Sequence, residues 1–115
     1  FFFFVVFFGG VGLNISNAVL SKVVASGTTQ TGTGTVINGT LTSDEASQIT
    51  GTATQDGGNG VNVSGSVTGG KVEGHATSGD AVMVVDGSSV ADAEVKGDAG
   101  SGTGVSVAGK ATLTN

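Results

Sequence analysis

The sequence predicts an all-β protein, specifically a parallel β-solenoid (β-helix) of about five coils, each of ~22 residues and three short strands. Three observations lead there. Glycine supplies 22 of the 115 residues, and Val, Ile and Thr together supply 36, a composition typical of strands joined by tight turns. No segment has helical periodicity of useful length; the nearest, residues 15–25, is dense in Val, Ser and Asn. One short phrase recurs along the chain.

The recurring phrase is a short stretch rich in aliphatic residues and closed by Gly or Asn. Its copies are VNVSG at 61–65, VMVVDG at 82–87 and VSVAG at 105–109, preceded by TVING at 35–39 and LNISN at 13–17. The closing residue falls at positions 17, 39, 65, 87 and 109. One step is longer than the others, and the polar stretch at 43–46 predicts a surface loop there.

Two further phrases follow the first in each repeat. The second is LT at 41–42, VT at 67–68 and ATL at 111–113; the third is ITGTA at 49–53, VEGHA at 72–76 and VKGDA at 95–99. Alternating apolar residues indicate strands with one buried face. A single coil of such strands cannot bury that face alone, so coils must stack and hydrogen-bond to one another.

The aromatic residues divide the chain into two parts. All six are phenylalanine, and all lie within the first eight residues. We therefore predict a hydrophobic N-terminal segment, residues 1–10, and a β-solenoid domain, residues 11–115. The segment is too short to span a bilayer as a helix, so no membrane span is expected. We expect it to cap the first coil or to contact another subunit, through Phe1, Phe2, Phe3, Phe4, Val5, Val6, Phe7 and Phe8.

The glycine-rich stretches GGNGVNVSGSVTGG (57–70) and GTGVSVAGKATLTN (102–115) resemble repeats of bacterial surface proteins. These are the filamentous-haemagglutinin-like adhesins and autotransporter passenger stalks. The resemblance covers about residues 35–115. It implies a right-handed parallel β-helix outside the cell that acts mainly as a stalk.

Charge and cysteine content argue against several other functions. A net charge of -5 with scattered lysines provides no basic stripe for nucleic acid. A chain with one histidine and no cysteine is not expected to hold a metal or cofactor. Glu73, His75, Lys96 and Asp98 are predicted to share one strand face, but alternating charge there is typical of a solvated surface. We therefore expect no enzyme activity.

Three Asn-x-Ser/Thr sequons, at Asn14, Asn38 and Asn62, lie about one coil apart and are possible glycosylation sites. Taken together, the sequence predicts a structural subunit of an extracellular or cell-surface filament, a homopolymer built by end-to-end stacking. The alternative is a stalk segment of a secreted adhesin, a binding module with surface glycans as possible partners.

Overall fold

The computed structural model describes the backbone of residues 2–7 and the whole of residues 10–114, and these residues form twelve strands. No helix occurs in these ranges, so none is long and apolar enough to cross a membrane. The strands are β1 (Phe2–Phe7), β2 (Val11–Leu20), β3 (Val24–Thr29), β4 (Thr33–Ser43), β5 (Gln48–Ala53), β6 (Asn59–Thr68), β7 (Lys71–Ala76), β8 (Val82–Val84), β9 (Ser89–Ala91), β10 (Glu94–Ala99), β11 (Val105–Val107) and β12 (Thr112–Thr114).

These strands form two parallel sheets. Sheet A has the order β1-β3-β5-β7-β10. Sheet B has the order β2-β4-β6-β8-β11, with β9 beside β6 and β12 beside β9. The chain alternates between the two sheets and advances by one strand position each time. The predicted β-solenoid of about five turns is confirmed. Coil 1 is β2 and β3, coil 2 is β4 and β5, coil 3 is β6 and β7, coil 4 is β8 to β10, and coil 5 is β11 and β12.

The strand register matches the repeats predicted from the sequence. In the third phrase, Ile49, Val72 and Val95 are aligned in neighbouring strands. In the second phrase, successive register partners are Ala18, Leu41, Val67, Val90 and Leu113, with steps of 23, 26, 23 and 23 residues. The repeat is thus one residue longer than predicted in most coils.

The first two phrases are continuous in coils 1 to 3 and separate in coils 4 and 5. In coil 3, Val63 and Val67 lie four positions apart on one strand. Their partners Val84 and Val90 lie six positions apart, because a turn interrupts the strand and the Ser88 N–H donates to the Val85 carbonyl at 3.0 Å. The two added residues are too many for a continuous ladder, so β8 and β9 form separate strands. A matching turn separates β11 from β12, and in it the Ala111 N–H donates to the Ala108 carbonyl at 3.0 Å.

The longest coil is extended at two corners. The predicted loop at 43–46 is a turn beyond the end of β4, closed by a hydrogen bond from the Ser47 N–H to the Asp44 carbonyl. The second extension lies between β5 and β6, where Gly57 has φ of 85°. Comparison of the repeats located the first extension and missed the second, because the polar and glycine residues of this corner, TQDGG at 54–58, leave the apolar pattern undisturbed.

The core is a column of aliphatic side chains stacked from coil to coil. Ile37, Val63 and Val84 occupy successive register positions, and each is fully buried. Thr35 occupies an equivalent inward position between Leu13 and Val61 and is also fully buried. Its hydroxyl donates to the Thr50 carbonyl at 2.9 Å, which satisfies the polar atom inside the column.

Glycine has two separate roles in the coils. At the closing positions Gly39, Gly87 and Gly109 it has positive φ, as expected for sharp corners. The central glycine of the third phrase does not need positive φ. A Cβ on Gly74 would lie 1.8 Å from the Ala81 carbonyl oxygen, because sheet A passes directly against the next strand of sheet B. This second role, repeated at Gly27, Gly51 and Gly97, was not evident from the sequence.

Candidate functional site: the two ends and the charged face

The C-terminal end exposes side chains at register positions that are buried in coils 2 to 4. Val105 and Val107 of β11 are aligned with Val82 and Val84, which are fully buried. In coil 5 the exposed fractions rise to 36% for Val105 and 45% for Val107. Leu113 of β12 is likewise 44% exposed, whereas its partner Val90 is 1% exposed. The end of the solenoid is therefore an apolar surface of the kind that is normally covered by another coil.

Strand edges accompany this apolar surface. Within the described residues, β10, β11 and β12 pair on one side only. Unpaired backbone N–H and C=O groups along an edge are a template for another strand. Natural edges are usually protected by lysine or proline, but β11 and β12 have neither. Lys110 lies in the turn between them.

The N-terminal end is built differently. Strand β1 pairs in parallel with β3 and is the outermost strand of sheet A, while β2 is the outermost strand of sheet B. A cavity of about 340 Å³ lies at this end. Among the described side chains it is lined mainly by apolar groups, namely Leu13, Ile15, Ala18, Leu20, Val23 and Ala25, with Asn14 and Ser16. Both ends thus present apolar surface next to strand edges.

The predicted phenylalanine contact coincides with β1. Phe2, Phe3, Phe4, Val5, Val6 and Phe7 take the register positions of residues 24–29 one coil earlier, so the segment continues sheet A of its own chain. Phe1 and Phe8 lie outside the described residues. Val5 stands at the register position of Gly27, so β1 does not repeat the third phrase. Contact with a second subunit remains a prediction.

The outer face of sheet A carries the charged cluster predicted from the sequence. Glu73 accepts a hydrogen bond from the Gln48 amide at 3.2 Å, and its other oxygen lies 2.8 Å from His75 Nε2. His75 Nδ1 lies 4.0 Å from an Asp98 oxygen. A Lys71–Glu94 pair at 4.0 Å continues the cluster, and both side chains are more than half exposed. Ion pairs this exposed contribute little to stability.

The cluster lies beside the larger of two surface grooves among the described residues. Glu73 and His75 form an acid–base pair next to an open groove of about 490 Å³ that includes Thr52 and Asp98. Their polar atoms already partner one another. Within the described ranges no group of three or more His, Cys, Asp or Glu side chains is placed to hold a metal ion.

Asp44 fastens the corner of coil 2 to coil 1. Its carboxylate accepts a hydrogen bond from the Ser47 hydroxyl at 2.7 Å and others from the Lys22 N–H at 3.1 and 3.2 Å. The Ser21 hydroxyl donates to it at 3.1 Å. The Ser47 hydroxyl, followed by the Lys22 N–H, holds the pKa of Asp44 below its usual value of 3.8. Ser47 in turn accepts from the Val23 N–H at 3.1 Å.

Similar contacts recur at other corners. The Asn17 side-chain oxygen accepts the Thr40 N–H at 3.0 Å, Asn59 accepts the Asp80 N–H at 2.9 Å, and Asp86 accepts the Lys110 N–H at 2.6 Å. Each contact joins neighbouring coils where the sheets are interrupted. These Asp and Asn side chains therefore supply hydrogen bonds between coils where the ladder is irregular or interrupted.

The three sequons lie on the outer face of sheet B in different surroundings. Asn14 is exposed and accepts a hydrogen bond from the Asn38 amide at 3.3 Å. Asn38 is half-buried and also accepts from the Ser64 hydroxyl. The Asn62 side-chain oxygen is buried and has no hydrogen-bond partner among the described residues. Asn14 is therefore the most accessible of the three, and glycosylation at any of them remains a prediction.

The end-surface residues Val105, Val107 and Leu113 were not among the sites predicted from the sequence. The alignment of the repeats could have identified them, since each is the last copy of an inward position in the given sequence. These partly exposed apolar residues of coil 5 form the candidate site within the described residues. Comparison with models of protein families, with curated proteins and with solved structures finds no match.

Proposed function

We propose that the chain is a structural subunit that stacks end to end into a filament. One observation carries this proposal: side chains that are fully buried in coil 4 are a third to a half exposed at the same register positions of coil 5. Covering them with another coil would transfer apolar surface out of water and would pair the free edges of β10, β11 and β12.

The contact would join two different surfaces. The C-terminal end of one subunit would meet the N-terminal end of the next, with β1 and β2 at the junction. Heterologous contacts produce open filaments when the rotation between copies does not close into a ring, as in stacking along a common axis. The resemblance of the repeats to bacterial surface stalks supports an extracellular or cell-surface location for the filament.

The first test is imaging of the purified chain by negative-stain microscopy. Long uniform filaments are expected. Monomeric particles at all concentrations would overturn the proposal and favour a stalk segment that presents a binding site encoded elsewhere.

The second test removes the predicted contact segment. Deleting residues 1–8 should abolish filaments, because it removes β1 from the junction, while the β-sheet signal in circular dichroism is retained. Thr52→Ala, a change on the outer face of sheet A away from both ends, should leave filaments intact. Unchanged filaments after the deletion would exclude the phenylalanine segment from the contact.

A further inference from the structure

The two sheets have the same number of layers but are offset by one half-coil. Sheet A has five layers and begins with β1, which precedes coil 1. Sheet B also has five layers, counting β8 with β9 and β11 with β12, and it extends one layer beyond β10. Sheet A therefore projects at the N-terminal end and sheet B projects at the C-terminal end. Within the described residues, coil 5 has its sheet B strands and lacks a sheet A strand.

From this offset we propose that β1 completes coil 5 of a neighbouring copy, so that the junction between subunits is a composite coil made of two chains. The inference rests on the proposed filament function. A copy moved along the axis by five layers places its β1 next to β10 and its β2 next to β11 and β12. Both sheets then continue without a gap or an overlap. With unequal numbers of layers, one sheet would be interrupted at every junction.

The end strands are compatible with this pairing. Strands β1, β2, β11 and β12 contain no charged residue, so no like charges are brought together between them. Charges occur only on β10, at Glu94, Lys96 and Asp98, and β1 places no charge opposite them. A second copy of this chain fits both free edges at once, because its β1 and β2 supply strands with the same half-coil offset.

The register across the junction follows from the register within the chain. Position 106 is aligned through Met83, Asn62 and Val36 with Asn14. Ser106 of one copy should therefore lie opposite Asn14 of the next. In sheet A, Lys96 is aligned through Glu73, Thr50 and Ser26 with Phe4, so Lys96 should lie opposite Phe4 of the next copy.

Engineered disulfides test both pairings, since the chain has no cysteine of its own. In Ser106→Cys/Asn14→Cys the two sites are four layers apart in one subunit, about 19 Å at ~4.8 Å per layer. A disulfide needs Cα atoms about 4.4–6.8 Å apart, so these cysteines can join only between copies. The same holds for Lys96→Cys/Phe4→Cys. Oxidised filaments of either double variant should give a ladder of covalent polymers on denaturing gels.

Matched controls distinguish disulfides that form through the proposed strand pairing from disulfides that form by random collision. Each single-cysteine variant should stop at dimers. Ser106→Cys/Thr52→Cys, with the second site on the other sheet, should not polymerise. Filaments without covalent ladders in either double variant would overturn the composite coil while leaving the filament proposal standing. Absence of filaments from the unmodified chain would overturn the proposed function itself.

Discussion

Several single residues stabilise this fold through their contacts with the backbone of an adjacent coil. Gly74 shows this: its hydrogen atom faces the Ala81 carbonyl oxygen at a distance where a methyl group cannot fit. The residue is required by the approach of two sheets and not by its own φ angle. Corner side chains have the complementary role. Asp44 and Asp86 accept backbone N–H groups of an adjacent coil where no strand is available to do so.

Asp44 makes the stability of the first corner dependent on pH. Its folded-state pKa is lowered, so the ionised form stabilises the folded chain above about pH 3.8, and this contribution is lost as pH falls through the folded-state pKa. Asp44→Asn should lower the unfolding midpoint at pH 6, and the difference from the unmodified chain should shrink below pH 3.8. Thermal melts from pH 6 to pH 2.5 measure this.

Glu45→Gln is the matched control for that experiment, because it removes a neighbouring carboxylate of the same turn and leaves Asp44 in place. It should keep the acid-dependent loss of stability. An equal difference between Asp44→Asn and the unmodified chain at every pH would show that the carboxylate charge does not stabilise this corner.

At the scale of strands, one register position can be core or surface depending only on its coil. Leu41 in β4 and Leu113 in β12 belong to the same row of aligned residues. Leu41 is fully buried between coils, whereas Leu113 is 44% exposed. The two leucines therefore report on the difference between an internal coil and an end coil.

Truncation of both leucines measures that difference. Leu41→Ala should destabilise the subunit by about 2–5 kcal/mol, since it leaves a cavity in a filled column. Leu113→Ala should cost much less in dilute subunits, because solvent already reaches the side chain. Denaturant unfolding at a concentration below that of assembly gives both values. Equal losses would mean that coil 5 is as well packed as coil 2.

Strand length was only partly predictable from the sequence. The apolar alternation identified the three phrases of each coil. It could not show that the first two phrases are continuous in β2, β4 and β6, because Gly and Asn at the closing position permit either a bend or a turn. Whether a bend or a turn forms depends on the hydrogen bonds to neighbouring coils. In coils 4 and 5 the added residues favour a turn.

At the scale of the whole molecule, repulsion between negatively charged subunits opposes the assembly that the apolar end surfaces favour. Each subunit carries a net charge of -5, whereas at the proposed junction β1, β2, β11 and β12 contain no charged residue and the charges of β10 meet an uncharged β1. Raising the salt concentration from about 10 to 150 mM shortens the screening length from about 30 to 8 Å. Filament formation should then begin at a lower protein concentration, since repulsion is weakened while the apolar contact is kept.

Light scattering and sedimentation across a salt series test this dependence. Lys71→Gln, which makes the subunit more negative at an exposed position of the internal strand β7, should strengthen it. Filaments that dissolve as salt rises would show that opposite charges hold the junction, contrary to the contact proposed here.

The sequence by itself determined the all-β class, the repeat, the inward rows of aliphatic residues and the loop after β4. These follow from local alternation and from spacing along the chain, which do not require knowledge of neighbours. The tertiary structure alone decided which copies of an inward residue are buried, which glycines face a carbonyl and which corner carboxylates accept N–H groups. Those properties depend on what lies one coil away. The half-coil offset of the two sheets is of the same kind, because it arises only when β1 is placed beside β3.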